Sequence, residues 1–208
     1  MFGLILTLAL SAGPPARSIR WADIGDSTTS QRCWQATLTA DLLTSFDVAQ
    51  ETGMLAAGGW TTRDARNNID AWLAAQTVVP DVVLLRFGVN DSHQGLDATT
   101  FETNYGYVLD ALRTKWPAAK AIVTLPWGRG CVQCGVMSRK WIPEVLAARE
   151  WASIGPDEGV WLEGGDDGVT YTSDGLHYNA LGCPENANQQ ARFIEELFPE
   201  CLGCGGLP

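Results

Sequence analysis

Short apolar runs alternate with helix-length segments along most of this 208-residue chain. The clearest run, Val82-Val83-Leu84-Leu85-Arg86-Phe87, is apolar almost throughout, which is typical of a strand covered on both faces. Strands that alternate with helices form βαβ units around a parallel sheet, with right-handed crossovers. The pattern predicts an α/β protein, a three-layer α/β/α sandwich of about five parallel strands.

The five strands are predicted at residues 18–25, 46–50, 82–87, 121–125 and 160–162. Helices are predicted at about 28–44, at 64–75, over a segment from Phe101 to Leu112 that ends before Pro117, at 139–152 and at 184–198. Residues 164–176 form a polar turn region before the last helix.

The length suits one domain with a substantial core, which we place at residues 17–200. Residues 1–16 begin with an apolar run of the length found in signal peptides, although no Lys or Arg precedes it. The alternative is an apolar segment that packs on the domain. Residues 201–208 form a Cys/Gly-rich tail.

The chain carries 24 acidic and 14 basic residues, for a net charge of -10. Such a surface repels phosphate backbones and anionic lipid headgroups, so nucleic acid and a charged membrane surface are disfavoured as partners. Apart from the N-terminal run, nothing approaches the roughly 20 apolar residues of a transmembrane helix, so no stable membrane insertion is expected. The sequence does not indicate an oligomeric state.

Six cysteines occur, at positions 33, 131, 134, 183, 201 and 204. Cys131/Cys134 and Cys201/Cys204 are CxxC pairs, and two such pairs can form a four-thiolate zinc site. The predicted topology separates the pairs, so we favour disulfides of local or undetermined pairing, with zinc and a redox CxxC as alternatives. The even count, together with the signal-like segment, favours a secreted or extracytoplasmic protein.

The first predicted strand breaks at Gly25 and is followed by a hydroxyl at Ser27, where the next helix starts. Ligand crevices form at this edge of open α/β sheets, and the first N–H groups of the helix carry partial positive charge there. Ser27 is therefore a candidate nucleophile. A serine in this position can also be an ordinary helix cap.

A turn before the last helix supplies a candidate base. A serine hydroxyl needs a base with a pKa near 7, which imidazole provides. In Asp174-Gly175-Leu176-His177, the carboxylate can accept from one ring nitrogen of His177 while the other nitrogen faces Ser27. His93, the only other histidine, is the competing base and has only Asp91 as a nearby carboxylate.

Three groups at the same edge can donate to an oxyanion: the backbone N–H of Ser27, the N–H of Gly59 and the side-chain amide of Asn90. Each has an ordinary alternative role in a loop, a turn or a helix cap. Gly58 is adjacent, and we select Gly59 because it directly precedes the entry to the next helix.

Together these blocks resemble the SGNH hydrolase superfamily, also called GDSL esterases and lipases, in the order Gly25-Asp26-Ser27, Gly59, Gly88-Val89-Asn90-Asp91 and Asp174-Gly175-Leu176-His177. The resemblance implies a flavodoxin-like sandwich with Ser27 as nucleophile, His177 as base and Asp174 as its orienting carboxylate. It implies an oxyanion hole formed by Ser27, Gly59 and Asn90, and neither a cofactor nor a metal is expected. One departure is Thr28, where the family often has Leu.

The resemblance implies hydrolysis of carboxylic esters, including deacetylation of carbohydrates, with a small-molecule or carbohydrate ester as the partner. Because no long apolar insertion is present to form a lid, we expect short acyl groups. Trp60 and Trp127 are expected near this edge of the sheet and are candidate substrate-binding residues, suited to stacking on a sugar or an aromatic group. A non-catalytic carbohydrate- or partner-binding domain is the alternative, while a flavodoxin-like cofactor site is disfavoured because Asp26 would repel phosphate.

Overall fold

The computed structural model describes residues 17–163 and 170–199, and within them one five-stranded sheet runs through the molecule. Every strand pairing is parallel, and the strand order is β2-β1-β3-β4-β5. This order is that of flavodoxin-like sheets and confirms the predicted three-layer α/β/α fold. The strands are β1 Ser18–Gly25, β2 Val48–Ala56, β3 Val82–Arg86, β4 Lys120–Leu125 and β5 Ala152–Asp157.

Helices cover both faces of the sheet. They are α1 Ser27–Ser30, α2 Gln35–Leu42, α3 Thr62–Ala75, α4 Val89–His93, α5 Ala98–Lys115, α6 Cys134–Val136, a π-helical turn Met137–Trp141 continued by α7 Ile142–Leu146, α8 Glu158–Glu163 and α9 Gly182–Leu197. Helices α3, α5 and α7 pack on one face, and α2 and α9 pack on the other. Alternate residues of β3 enter the two cores, Val83 on one side and Leu84 on the other, as the pleat requires.

The predicted fifth strand is wrong. Residues 160–162 lie in α8, where Leu162 is buried and Val160 is 72% exposed, and the fifth strand lies upstream at Ala152–Asp157. The sequence of β5 shows little strand propensity, but its pairing with β4 at the sheet edge overrides that preference. Pro156 is tolerated because an edge strand has a side without hydrogen bonds. Gly155 is required there, since a Cβ would lie 2.4 Å from Ile122.

Several predicted boundaries also shift. The predicted helix 28–44 is two helices, because the chain turns between them at Arg32 with a φ of 56°. The predicted helix 139–152 ends at Leu146, and Ala152 already pairs with β4. Strand β2 is longer than predicted and extends to Ala56, and the short helix α4 was not predicted.

Two disulfides join described cysteines, Cys33 to Cys183 and Cys131 to Cys134. The first pairing is long-range and the second is local. The zinc alternative is therefore wrong for the first CxxC pair, because its sulfurs are bonded to each other. Cys201, Cys204 and the signal-like segment lie outside the described residues. Among residues 17–163 and 170–199, no helix has the length and apolar character needed to cross a membrane.

Candidate active site

Ser27 lies in a tight turn between β1 and α1. The Asp26 carboxylate caps α1 by accepting from the backbone N–H of Thr28 at 3.0 Å and from its hydroxyl at 2.8 Å. Gly25 is needed before it, because a Cβ there would lie 2.1 Å from the Thr29 hydroxyl. Ser27 is thus the first residue of α1, at the carboxyl edge of the sheet.

His177 reaches Ser27 from the loop that precedes α9. Its Nε2 lies 2.8 Å from the Ser27 Oγ, and its Nδ1 lies 2.6 Å from Oδ2 of Asp174. The other oxygen of Asp174 accepts from the backbone N–H groups of Leu176 at 3.0 Å and of His177 at 2.8 Å. Since a carboxylate can only accept, Nδ1 carries the proton and Nε2 accepts from the serine hydroxyl. The structure thus brings the three predicted residues into one hydrogen-bonded chain.

Asp174 is ionised at neutral pH. Partial burial by itself raises the pKa of this carboxyl, but hydrogen bonds from the His177 side chain and from the two backbone N–H groups lower the pKa to about 2. Its side chain is 53% exposed, and that of His177 is 29% exposed. A fixed negative charge therefore faces the imidazole at the surface and accepts its Nδ1 proton in a hydrogen bond.

Asn90 and the Gly59 loop lie next to each other. The Asn90 amide donates to the backbone oxygen of Trp60 at 3.0 Å, which leaves the second N–H of this amide for another acceptor. Gly59 has a φ of +78°, a conformation that favours glycine. Helix α4, which carries Asn90, and the loop that carries Gly59 are therefore held together by a direct hydrogen bond.

The remaining predicted residues occupy different surroundings. His93 ends α4 and is exposed, and the hydrogen bond to Ser27 is made by His177. Trp60 is partly buried and packs against the core on the α3 and α5 side of the sheet. Trp127 is also partly buried and lines a surface cavity next to the site.

This cavity, which we call the 126–139 cavity, has a volume of about 590 Å³. Its wall touches the loop of His177, because the Arg129 N–H donates to the Gly175 oxygen at 2.7 Å. Gly128 lies so close to the start of α4 and to the His177 loop that a Cβ would lie 3.1 Å from Val89 and 3.3 Å from Leu176. The lining includes Trp127, Arg129, Val132, Ser138, Arg139, Asp157 and Val160, together with Cys131 and Cys134.

Sequence reasoning missed a buried charged cluster behind Ser27. The Arg86 guanidinium donates through Nη1 to both oxygens of Asp26, at 2.9 and 3.0 Å, and to Glu158 through Nε at 2.6 Å and Nη2 at 2.8 Å. Glu158 also accepts from the Tyr178 hydroxyl and from the Trp127 N–H. Burial alone would lower the pKa of Arg86, but the carboxylates of Asp26 and Glu158 raise it above its usual range.

An arginine inside the apolar run of β3 was the available signal, since a buried charge needs a partner. Asp26 precedes the candidate nucleophile and could have been proposed as that partner. Glu158 could not have been proposed, because the neighbouring residues 160–162 were predicted to be a strand, whereas Glu158 begins helix α8.

Asp91 is a second buried carboxylate beside the site. One oxygen accepts from the Thr62 N–H at 3.0 Å and from its hydroxyl at 2.5 Å, so it binds the start of α3. The other oxygen has no hydrogen-bond partner among the described residues. Burial raises the pKa of Asp91 to about 6, although the hydrogen bonds from Thr62 oppose this effect.

The flavodoxin-like sheet and the Ser-His-Asp chain at its carboxyl edge define an α/β/α hydrolase of the SGNH type. A family model of the GDSL-like lipase/acylhydrolase family matches residues 24–183. The chain belongs to this family, and the protein is a carboxylic ester hydrolase. No curated protein sequence matches it.

Solved structures share the fold at low sequence identity. The family 3 carbohydrate esterase of Clostridium thermocellum is 19% identical with a TM-score of 0.67, and the match covers 90% of this chain and 100% of that one. A carbohydrate esterase of family 3 from Talaromyces cellulolyticus is 21% identical with a TM-score of 0.70, over 88% and 99% of the two chains. An acetyl xylan esterase, AlAXEase, is 19% identical with a TM-score of 0.69, over 85% and 100%.

Proposed function

We propose that the protein is a serine esterase that removes short acyl groups, with acylated carbohydrates as its substrate class. The observation that supports this most directly is the continuous chain of hydrogen bonds from Ser27 through His177 to Asp174. In this proposal Ser27 is the nucleophile, His177 the general base and Asp174 the carboxylate that orients the imidazole.

The reaction has two halves. The Ser27 Oγ attacks the ester carbonyl while His177 Nε2 takes its proton, and Asp174 stabilises the imidazolium. The N–H groups of Ser27 and Gly59 and the amide of Asn90 donate to the oxyanion. The intermediate collapses, the alcohol leaves with the proton from Nε2, and the acyl group stays on Ser27. Water, deprotonated by His177, then releases the acid and restores the serine.

The 126–139 cavity supports a carbohydrate as the alcohol portion of the substrate. It adjoins the His177 loop, and its lining combines the ring of Trp127 with hydroxyl, guanidinium and carboxylate groups. Sugars bind through such a combination of stacking and hydrogen bonds. The names of the structural relatives, among them an acetyl xylan esterase, point to the same class. We assign Trp127 to this subsite, and Trp60 to the wall beside Asn90.

We also propose an extracytoplasmic location, with residues 17–200 as the catalytic domain and residues 1–16 as an export segment. The two disulfides support this, because such bonds persist in oxidising compartments.

Hydrolysis of p-nitrophenyl acetate, butyrate and octanoate tests the chemistry. Ser27→Ala and His177→Ala should each lower kcat by several orders of magnitude, because both belong to one catalytic unit. His93→Ala is the matched control, since it removes the other histidine, and it should retain full activity. An inactive wild type, or full activity in Ser27→Ala, would reject the esterase in favour of the non-catalytic binding domain.

Acetylated xylo-oligosaccharides test the substrate class. Trp127→Ala should lower kcat/KM for acetate release from them by about tenfold, the size of effect expected from one lost stacking contact. The same variant should retain its activity on p-nitrophenyl acetate, which is too small to use the cavity. Equal losses on both substrates would mean that Trp127 shapes the site and does not bind the sugar.

A further inference from the structure

The Arg86 side chain bonds to two buried carboxylates, one beside Ser27 and one that contacts the residue after His177. On one side its guanidinium holds Asp26, the residue before Ser27, by contacts of 2.9 and 3.0 Å. On the other side it holds Glu158 by contacts of 2.6 and 2.8 Å. Glu158 in turn accepts from the hydroxyl of Tyr178, the residue after His177.

Burial and paired contacts hold the cluster of Arg86, Asp26 and Glu158 in one arrangement. Arg86 is 6% exposed, and Asp26 and Glu158 are almost fully buried, so each charge depends on the others for its stabilisation. The guanidinium is a planar fork that bonds to Glu158 with two parallel contacts and to Asp26 with its remaining arm. It also lies over the Tyr178 ring, 5.9 Å from the ring centre.

We propose that Arg86 is a positioning residue for catalysis. It acts through Asp26 on the turn that presents Ser27, and through Glu158 and Tyr178 on the segment that presents His177. The proposal rests on the catalytic roles of Ser27 and His177 given above. The 2.8 Å contact between these two residues joins chain segments 150 residues apart, and Arg86 ties the neighbours of both to one side chain.

A purely stabilising role and a positioning role differ in what they change in folded protein. A stabilising residue, when replaced, lowers the melting temperature and leaves the reactivity of Ser27 in the folded fraction intact. Loss of a positioning residue lowers that reactivity even below the melting temperature. A misplacement of about 1 Å between reacting groups can lower a rate about 10²-fold.

The test measures the rate at which a p-nitrophenyl alkylphosphonate labels Ser27. The Ser27 Oγ forms a bond to phosphorus, p-nitrophenolate leaves, and His177 takes the serine proton. Mass spectrometry locates the adduct, and circular dichroism confirms the fold of each variant. Arg86→Met should label about 10²-fold more slowly. On p-nitrophenyl acetate its kcat should fall by a similar factor while KM stays unchanged.

Arg149→Met is the matched control. Arg149 also makes a bidentate pair, with Asp110 at 2.8 Å through both arms, but it precedes β5 and so lies at the opposite edge of the sheet. Its loss should leave the labelling rate unchanged. Arg86→Lys should restore only part of the rate, because a single ammonium cannot reproduce the fork.

If Arg86→Met does not fold, Tyr178→Phe tests the positioning role instead. It removes one hydroxyl from Glu158 and should slow labelling by about tenfold, the effect of one lost hydrogen bond to a charged group. Labelling at the wild-type rate in Tyr178→Phe and in every folded Arg86 variant would overturn the positioning role. A wild type whose Ser27 is not labelled at all would overturn the proposed function, and this role with it.

Discussion

Two groups of charged residues flank Ser27, and they differ in their access to water. On the surface side, Asp174 is 53% exposed and holds the imidazole of His177. On the inner side, Asp26 is 1% exposed and Glu158 is 0% exposed, and both hold Arg86. The surface group is local in sequence, since Asp174 and His177 are three residues apart, whereas the inner group joins the turn after β1, strand β3 and the start of α8.

The difference follows from what each group has to do. A residue that transfers protons must change its charge during each turnover, and solvent nearby lowers the energetic cost of that change. A residue that fixes geometry must not change its charge, and burial among partners ensures this. Exposed ion pairs contribute little to stability, about 0–1 kcal/mol, whereas removing one partner of a buried pair costs about 3–5 kcal/mol. We therefore expect the surface group to govern rate and the inner group to govern stability as well as rate.

Replacing Asp174 gives the largest expected effect on rate. Asp174→Asn keeps the shape of the side chain but places an N–H group opposite Nδ1 of His177, which favours the wrong tautomer. Loss of the carboxylate in a Ser-His-Asp arrangement lowers kcat about 10⁴-fold. Because the side chain is 53% exposed, solvent weakens its interactions, and the midpoint of urea unfolding should move less than after the loss of a buried carboxylate.

Asp110→Asn is the control for this comparison, because it removes another exposed carboxylate, 64% exposed, that pairs with an arginine away from the site. It should leave kcat unchanged. A large loss of stability in Asp174→Asn would show that the surface group supports the fold, and the contrast would fail.

Replacing Glu158 gives the largest expected effect on stability. Glu158→Ala leaves two donor groups of Arg86, the Tyr178 hydroxyl and the Trp127 N–H without their acceptor. The free energy of unfolding should fall by about 3–5 kcal/mol. Urea denaturation measures it, and Glu51→Ala is the control, since Glu51 pairs with the exposed Arg32 and its loss should cost at most about 1 kcal/mol.

The same contrast explains what the sequence could predict. The surface group consists of residues in short motifs, and the turn Asp174-Gly175-Leu176-His177 contains both the base and its carboxylate. The sheet was predictable where strands are buried on both faces, as in β3. The inner group was not predictable from the sequence. Glu158 lies 72 residues from Arg86 along the chain, and only tertiary packing brings the two together. The position of strand β5 was wrongly predicted for the same reason, because its pairing with β4 at the sheet edge outweighs the weak strand propensity of its residues.

Asp91 gives a smaller effect that depends on pH. Burial raises its pKa in the folded protein from 3.8 to about 6, although hydrogen bonds from Thr62 oppose this. The folded state therefore favours the protonated form, and this contribution is fully present below the ordinary pKa and is lost as pH rises through about 6. Between pH 4 and pH 6 the free energy of unfolding should fall by about 2 kcal/mol through this residue.

Asp91→Asn should remove this fall, which is measured as the difference between wild-type and variant unfolding curves across the same pH range. Subtracting the two curves also separates the contribution of Asp91 from that of Asp23. Burial raises the pKa of Asp23 in the same direction, although Gln35 donates a hydrogen bond to it.

Asp97, at the start of α5, is an exposed carboxylate whose pKa shifts the other way. Hydrogen bonds from Thr100 lower its pKa. Asp97→Asn should remove stability above pH 4 and not below it, the opposite sign. If both variants changed the curves in the same direction, burial would not be what separates the two kinds of carboxylate in this protein.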